Sequence, residues 1–339
     1  MTQLSHVVRQ AKKRERGAVF PSANRVNGVA RKRTTPMFDS MTLPDLTKEP
    51  DFSPTPVAGT GCASDKDLQR ADGCGRIALR GSESGNRIEE IFERFPIRIM
   101  FPRVGQHELA EAVLINVAGG VAGGDRLEVC ITALPSASIA VTSQAAEKVY
   151  RALHDPARVR TRLNVRESAK LAWLPQETIV FNSARFHRTT EIELTSGAEI
   201  LALEWLVLGR AAHGEIVIDG NIIDSWHVKK DGRLIWADTF RVSDGTFSHL
   251  NRRALLSDCN AIATLVYFGP DLDKRLELLR DILPFLGCKC AVTHVGGLLV
   301  TRFAAKESSD LRFALRSFLD RFGSEVGSGP FRAPKMWSC

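Results

Sequence analysis

No uninterrupted apolar stretch in this chain approaches the roughly 20 residues that a membrane-spanning helix requires, which excludes an integral helical membrane protein. The first stretch also lacks the apolar core of a secretory signal. The seven cysteines, Cys62, Cys74, Cys130, Cys259, Cys288, Cys290 and Cys339, are odd in number and irregular in spacing. Without an export signal, that pattern implies reduced thiols in a cytoplasmic protein rather than a disulfide framework. At 339 residues and 44% hydrophobic, the chain can still bury a large core.

A broad cationic surface is missing too, despite a net charge of +7. Residues 1 to 50 hold ten Lys/Arg against four acids, leaving 36 against 35 in the remainder. The body is therefore nearly neutral and does not fit general phosphate or nucleic-acid binding. Residues 1–68 are rich in Pro, Ser, Thr, Gly and charge, and are expected to be a disordered basic extension, with Met37 and Met41 as alternative starts. Residues 69–339 are expected to form one folded domain.

Nucleotide and hydrolase signatures are absent as well. Ala118-Gly-Gly-Val-Ala-Gly-Gly-Asp-Arg126 is glycine-rich, but Asp125 and Arg126 follow Gly124 where a phosphate loop needs Lys and then Ser or Thr. A turn or bulge that lets two backbones pack closely is the expected role, with Asp125 at its end available to a partner or cation. No Ser, His and Asp arrangement has recognisable spacing.

A phrase that occurs three times is what the chain does contain. Ile131–Gln144, Leu163–Gln176 and Ile192–Trp205 each carry an alternating apolar run, a small turn ending in Ala137, Ala169 or Ala198, and a second apolar run. The alanines are 32 and 29 residues apart, which predicts stacked coils of strand, a mainly β, solenoid-like fold. Polar segments follow each copy: Thr142–Arg151, Leu174–Phe181 and Glu204–Glu215. Stacked coils would bring them within roughly one strand separation of about 5 Å, on one ridge or around one cavity.

Two helices are expected late in the chain. Asp271 can cap a segment with Leu272, Leu276, Leu279 and Leu283 on one face, closed by Pro284 and Gly287. Ser309 can cap a second, with Leu311, Leu315, Phe318 and Phe322 inward and Gly323 at its end. Between them, Cys288, Cys290 and His294 share a strand face and could ligate Zn²⁺ or Ni²⁺. Val292 shares that face and no fourth ligand is evident, so core cysteines are the preferred reading.

Four motifs carry a family resemblance in order and spacing: Asn116–Asp125, Thr142–Arg151, Trp173–Phe181 and Gly209–Glu215. With the flanking Arg70–Arg76 and Pro330–Trp337, they resemble the urease accessory protein UreD (UreH) family over about Gln69 to Trp337. The chain departs from the family phrase at Lys335, where Arg is usual, which turns a bidentate contact into a point charge. The resemblance implies a β-helical arrangement of strands with a pair of helices and no enzymatic activity. It implies a scaffold that binds the urease apoprotein, the adaptor UreF and, through it, the GTPase UreG, so that Ni²⁺ reaches the urease active site.

No tightly bound cofactor is expected, only Ni²⁺ in transit, held weakly enough to be released. The acids in the family motifs, Asp125, Glu147, Glu177, Glu204 and Glu215, are candidates to line a polar passage. The alternative is that they form ion pairs with Lys148, Arg151, Arg185 and Arg210. Lys148, Tyr150, Arg151, Arg210 and Trp337 are candidate partner contacts, with Trp173, Phe181 and Trp205 of the same interface-prone types. A different class of function would use Glu177 and Glu204 as the acid and base of a β-solenoid hydrolase.

Overall fold

The computed structural model describes residues 69–338 apart from 84, 103–109 and 328. The expected basic extension lies outside the described residues. Three consecutive strand pairs, β5 (Arg126–Ala133) with β6 (Ser138–Ser143), β8 (Ala157–Val165) with β9 (Lys170–Leu174), and β11 (Ala184–Leu194) with β12 (Glu199–Leu208), are the three copies of the sequence phrase. Within the three copies, first strands pair with first strands and second strands with second strands, all in parallel. The chain therefore winds as a β-solenoid of about four turns.

The alanine turns set the register. Ser136, Ser168 and Gly197 each adopt positive φ just before Ala137, Ala169 and Ala198, which reverses the chain within a few residues. Lys170 and Glu199 donate their backbone N–H groups to the carbonyls of Ala137 and Ala169 on the coil below. All three alanines are fully buried, because a larger side chain has no room between stacked turns.

One sheet runs β14 (Arg233–Val242), β13 (Gly220–Lys230), β11, β8, β5, β1 (Asp72–Ser82), β2 (Gly85–Arg94). The facing sheet runs β16 (Lys289–Val295), β17 (Leu298–Ala305), β15 (Ala261–Phe268), β12, β9, β6, β4 (Ala110–Asn116), β3 (Ile97–Met100). Short strands β7 (Glu147–Val149) and β10 (Thr178–Val180) extend a branch from β12. Strict in–out alternation in β11 marks a strand with one wet face, whereas every residue of β12 is buried. The outer face of β12 lies beneath α1 (Leu272–Ile282) and α2 (Ser308–Val326), which bury Leu279, Leu311, Leu315, Phe318 and Phe322 against Leu201, Leu203 and Trp205.

Four local expectations need correction. Asp271 takes a left-handed conformation with no side-chain cap, and α2 starts at Ser308 without a side-chain cap from Ser309. Gly323 does not end α2; a Cβ there would lie 3.1 Å from the Arg332 backbone nitrogen, so glycine admits the returning 331–332 segment. Trp337 is buried, its ring centroid 5.9 Å from that of Trp205, and it donates its indole N–H to Thr142 Oγ1 and the Leu174 carbonyl, each at 3.2 Å. It closes the core rather than standing on the surface, where a partner contact was expected.

Candidate functional site

The space between the two sheets is apolar at the alanine-turn end and polar further along the strands. On β11 the inward positions read Ala184, Phe186, Arg188, Thr190, Ile192, Leu194, so alternation places a guanidinium in the core. On β13 the same parity places Asp224 inward, in direct register with Arg188. On β12 the inward residues are Ile200, Ala202, Glu204, Leu206 and Leu208, because the odd-numbered residues meet the helices. One polar layer thus crosses the interior.

Arg188 organises that layer. Its Nε and Nη2 donate to the two Asp224 oxygens at 2.8 and 2.7 Å, and its Nη1 lies 2.6 Å from Glu204 Oε2 and 3.0 Å from Thr178 Oγ1. Glu204 Oε1 accepts the Trp173 indole N–H at 2.8 Å and the Thr190 hydroxyl at 3.4 Å. Burial opposes the charge on Arg188, but Asp224 and Glu204 outweigh it and raise its pKa. Burial pushes Glu204 upward against the pull of Arg188. Losing one member of such a cluster leaves an uncompensated buried charge.

A cavity of about 380 Å³ opens beside this layer. Its outer end is lined by Gly119, Gln144 and Ala145, and its inner end by Thr178, Arg188 and Glu204. Glu147 lies between. Asn116 Nδ2 donates to both Glu147 oxygens at 3.1 Å and to the Gly120 carbonyl at 3.1 Å. Burial pushes the Glu147 carboxyl up to about 7, so it changes charge near neutrality. A second cavity of about 390 Å³ touches Glu204 and Asp224 from the other side and reaches Lys289 and Cys290. The ion cluster stands where the two meet.

The other predicted acids are engaged elsewhere. Asp125, nearly buried, accepts the backbone N–H groups of Ala71 at 2.8 Å and Ala122 at 2.7 Å, closing the glycine turn rather than facing a partner. That turn is the close-packing device expected, since a Cβ on Gly120 would lie 2.7 Å from the Lys148 carbonyl oxygen. Glu177 is bound by Arg312 of α2. Glu215 pairs with Arg210 at 2.8 Å, and that hydrogen bond holds its carboxyl below the ordinary range. Glu147 is in register with Thr178, not Glu177, so Glu177 falls on the opposite face from Glu147. Glu177 and Glu204 accordingly share no site, which removes the acid and base pair of the hydrolase reading.

The candidate partner residues, Trp337 apart, gather at one corner of the coil. Tyr150 meets Phe181 edge-on at 5.3 Å, and the Arg210 guanidinium lies 4.1 Å from the Phe181 ring centroid. Lys148 and Arg151 are exposed beside them, while Trp173 and Trp205 are core. Phe181 donates its backbone N–H to the Val149 carbonyl and Gly209 to that of Val180, so the three polar segments stack as one ridge, which the bonds from Ala152 to Ser183 and from Ser183 to Asp219 continue. Leu153, Ile216 and Ile218 stand out from it, 83%, 74% and 70% exposed.

Cys288 and Cys290 are half-buried against the core beneath α1, and Cys290 lies 3.4 Å from the Leu283 carbonyl. Burial, then Cys290 and Cys259, pushes the Cys288 thiol up to about 12. His294 lies 3.9 Å from Asp273. Among the described residues, no three His, Cys, Asp or Glu side chains gather as a metal site.

A β-solenoid of about four turns with a two-helix cover, an ion cluster inside and an aromatic ridge outside defines the structural class of this chain. The profile described as UreD urease accessory protein matches residues 71–338. The chain is 39% identical over 262 residues to the urease accessory protein UreD of Methylobacterium sp. (strain 4-46), covering 75% of this chain and 92% of that protein. It is 38% identical over 271 residues to UreD of Mesorhizobium japonicum, covering 80% and 95%. The chain belongs to the UreD family of urease accessory proteins.

Proposed function

We propose that this chain is a non-catalytic, cytoplasmic maturation chaperone that binds the urease apoprotein, UreF and, through UreF, the GTPase UreG, and that Ni²⁺ passes through its interior. Family membership supports a role in urease maturation. The observation that carries the passage is the cavity with Glu147 near its mouth and Glu204 at its inner end. Ni²⁺ takes N, O and S donors, and a conduit must release it. Glu204 is already neutralised by Arg188, and Glu147 is half-protonated near pH 7, so each offers only a weak hold. Asp125, Glu177 and Glu215, bonded away from the cavity lining, serve as structural anchors in this reading.

The ridge around Tyr150, Phe181 and Arg210 is the proposed docking surface, because aromatic and arginine side chains dominate interface energetics. The test is urease co-expressed with its other accessory proteins at limiting nickel, with and without this chain. Loss of both nickel content and ureolytic activity in its absence supports the maturation role. Full loading without it overturns that role. For the passage, E147Q and E204Q must keep partner binding yet lower nickel loading; unchanged loading in both sinks it.

A further inference from the structure

The outer face of the β5–β8–β11–β13–β14 sheet carries side chains in rows, because the strands stack in register, parallel from β5 to β13 and antiparallel at β14. Two adjacent rows contain Glu128, Arg160, Arg162 and Glu191, and they neutralise one another. Arg160 binds Glu191 at 2.7 Å, and Arg162 binds Glu128 and Glu191. The row nearest the strand starts is different. Register aligns Arg126 with Arg158, Arg158 with His187, His187 with Ile223, and Ile223 with Arg241. Among the described residues, no salt bridge joins a carboxylate to Arg126, Arg158 or Arg241; Asp72, next in register to Arg126, is paired with Arg94 at 3.0 Å.

The row spans four strand separations, roughly 19 Å. His187, half-buried within it, has its pKa lowered by burial and by the charges of Arg158 and Arg241, which places those cations close around it. β8, β11 and β13 begin directly after the ridge segments, which sets the middle of this row beside Leu153, Ile216 and Ile218, with Arg126 on β5 and Arg241 on β14 at its two ends. Both lines follow the solenoid axis. A helix about 10 Å across laid along that axis touches both.

We infer that the ridge and the arginine row together form a docking groove for an acidic amphipathic helix of a partner protein, its apolar stripe on Leu153, Ile216 and Ile218 and its carboxylates on Arg126, Arg158 and Arg241. One helical turn rises about 5.4 Å, close to the strand separation of about 4.8 Å, so carboxylates one turn apart meet Arg126 and Arg158, and a third about three turns further on meets Arg241. A nucleic-acid duplex fits poorly. It needs a broad cationic face, and Glu128 and Glu191 stand in the neighbouring rows. The inference rests on the ridge being a docking surface and adds what the partner segment must look like.

The test uses the full-length protein and a fluorescent helical peptide of about twenty residues, with a leucine stripe flanked by glutamates. Controls are a scrambled peptide of the same composition and a DNA duplex. Anisotropy is read at about 50 mM and about 250 mM salt, where screening differs strongly. The amphipathic peptide should bind, and R126Q/R158Q/R241Q should weaken it about tenfold and flatten its salt dependence. The charge-matched R76Q/R80Q/R87Q should not. R241Q alone, on an edge strand, should weaken it about threefold and serves if the triple variant misfolds.

Equal binding by parent and arginine-row variants, no binding at low salt, equal binding of the scrambled peptide, or preference for DNA each overturns the inference. Because urease is not in the assay, failure here is separate from failure of the maturation role. L153S/I216S/I218S distinguishes the ridge itself: retained peptide affinity in that variant, with affinity lost in the arginine variant, removes the ridge from the groove and overturns it likewise.

Discussion

Trp173 of one coil donates its indole N–H to Glu204 of the next at 2.8 Å, tying a core aromatic to the carboxylate that faces Arg188. The bond is charge-assisted and buried, and it fixes which way Glu204 points. W173F should cost about 2 kcal/mol beyond any packing loss, read by chemical denaturation. W173F in an E204Q background should cost less, since the acceptor is then neutral.

Arg188 should be the most sensitive residue of the interior. R188M leaves Asp224 and Glu204 facing each other without a cation, and should cost about 3–5 kcal/mol. Adding D224N and E204Q should recover part of that loss. A triple variant no more stable than R188M would show that the cluster contributes through packing alone.

Glu147 gives the interior a pH dependence with a definite sign. Its folded pKa, about 7, exceeds the ordinary 4.5, so its protonated form is favoured by folding. That contribution is full below the ordinary value and disappears as pH rises to about 7. The stability of E147Q relative to the parent should therefore rise with pH across this window and level off above it, by at most about 3 kcal/mol. A flat difference between the two proteins would mean the carboxyl is solvated.

Trp337 should behave as a core residue. W337A should destabilise the fold by about 3–5 kcal/mol and lower partner binding only in proportion to unfolding. W337F, which keeps most of the volume, should be milder but lose the bonds to Thr142 and Leu174.

Arg210 should separate from these. It is half-exposed and its partner Glu215 is local in sequence, so R210A should leave stability within about 1 kcal/mol while reducing copurification with UreF. Intact copurification would move the docking surface away from this corner.

Coil stacking was legible in the sequence because the three phrases repeat a local turn, and each turn needs only one left-handed residue followed by alanine. The helical faces were legible for the same reason: Leu311, Leu315, Phe318 and Phe322 obey a local period. The interior ion cluster was not read, although its signal is present. Arg188, Asp224 and Glu204 each interrupt an otherwise apolar inward row, but the parity of each strand is set by partners more than 30 residues away.

Expecting Glu177 to line a passage with Glu147 and Glu204 failed for a related reason. β12 extends four residues beyond Glu204, placing that residue inside a strand, whereas Glu177 precedes β10 and turns to Arg312. Motif membership grouped these acids, and register divided them. Trp337 was misplaced because tryptophan is as typical of a core as of an interface.

The indole of Trp337 reaches a hydroxyl 195 residues earlier in the chain. During synthesis, the coil carrying Thr142 and the strand carrying Trp205 leave the ribosome well before the segment that covers them. At ordinary elongation rates that interval is on the order of ten seconds. During it the outer face of β12 lacks first both helices and last its final aromatic, so a newly made chain exposes apolar surface until the segment ending at Trp337 is in place. A pause or slow codon cluster in that interval would prolong the exposure, and rapid passage through it would favour soluble yield.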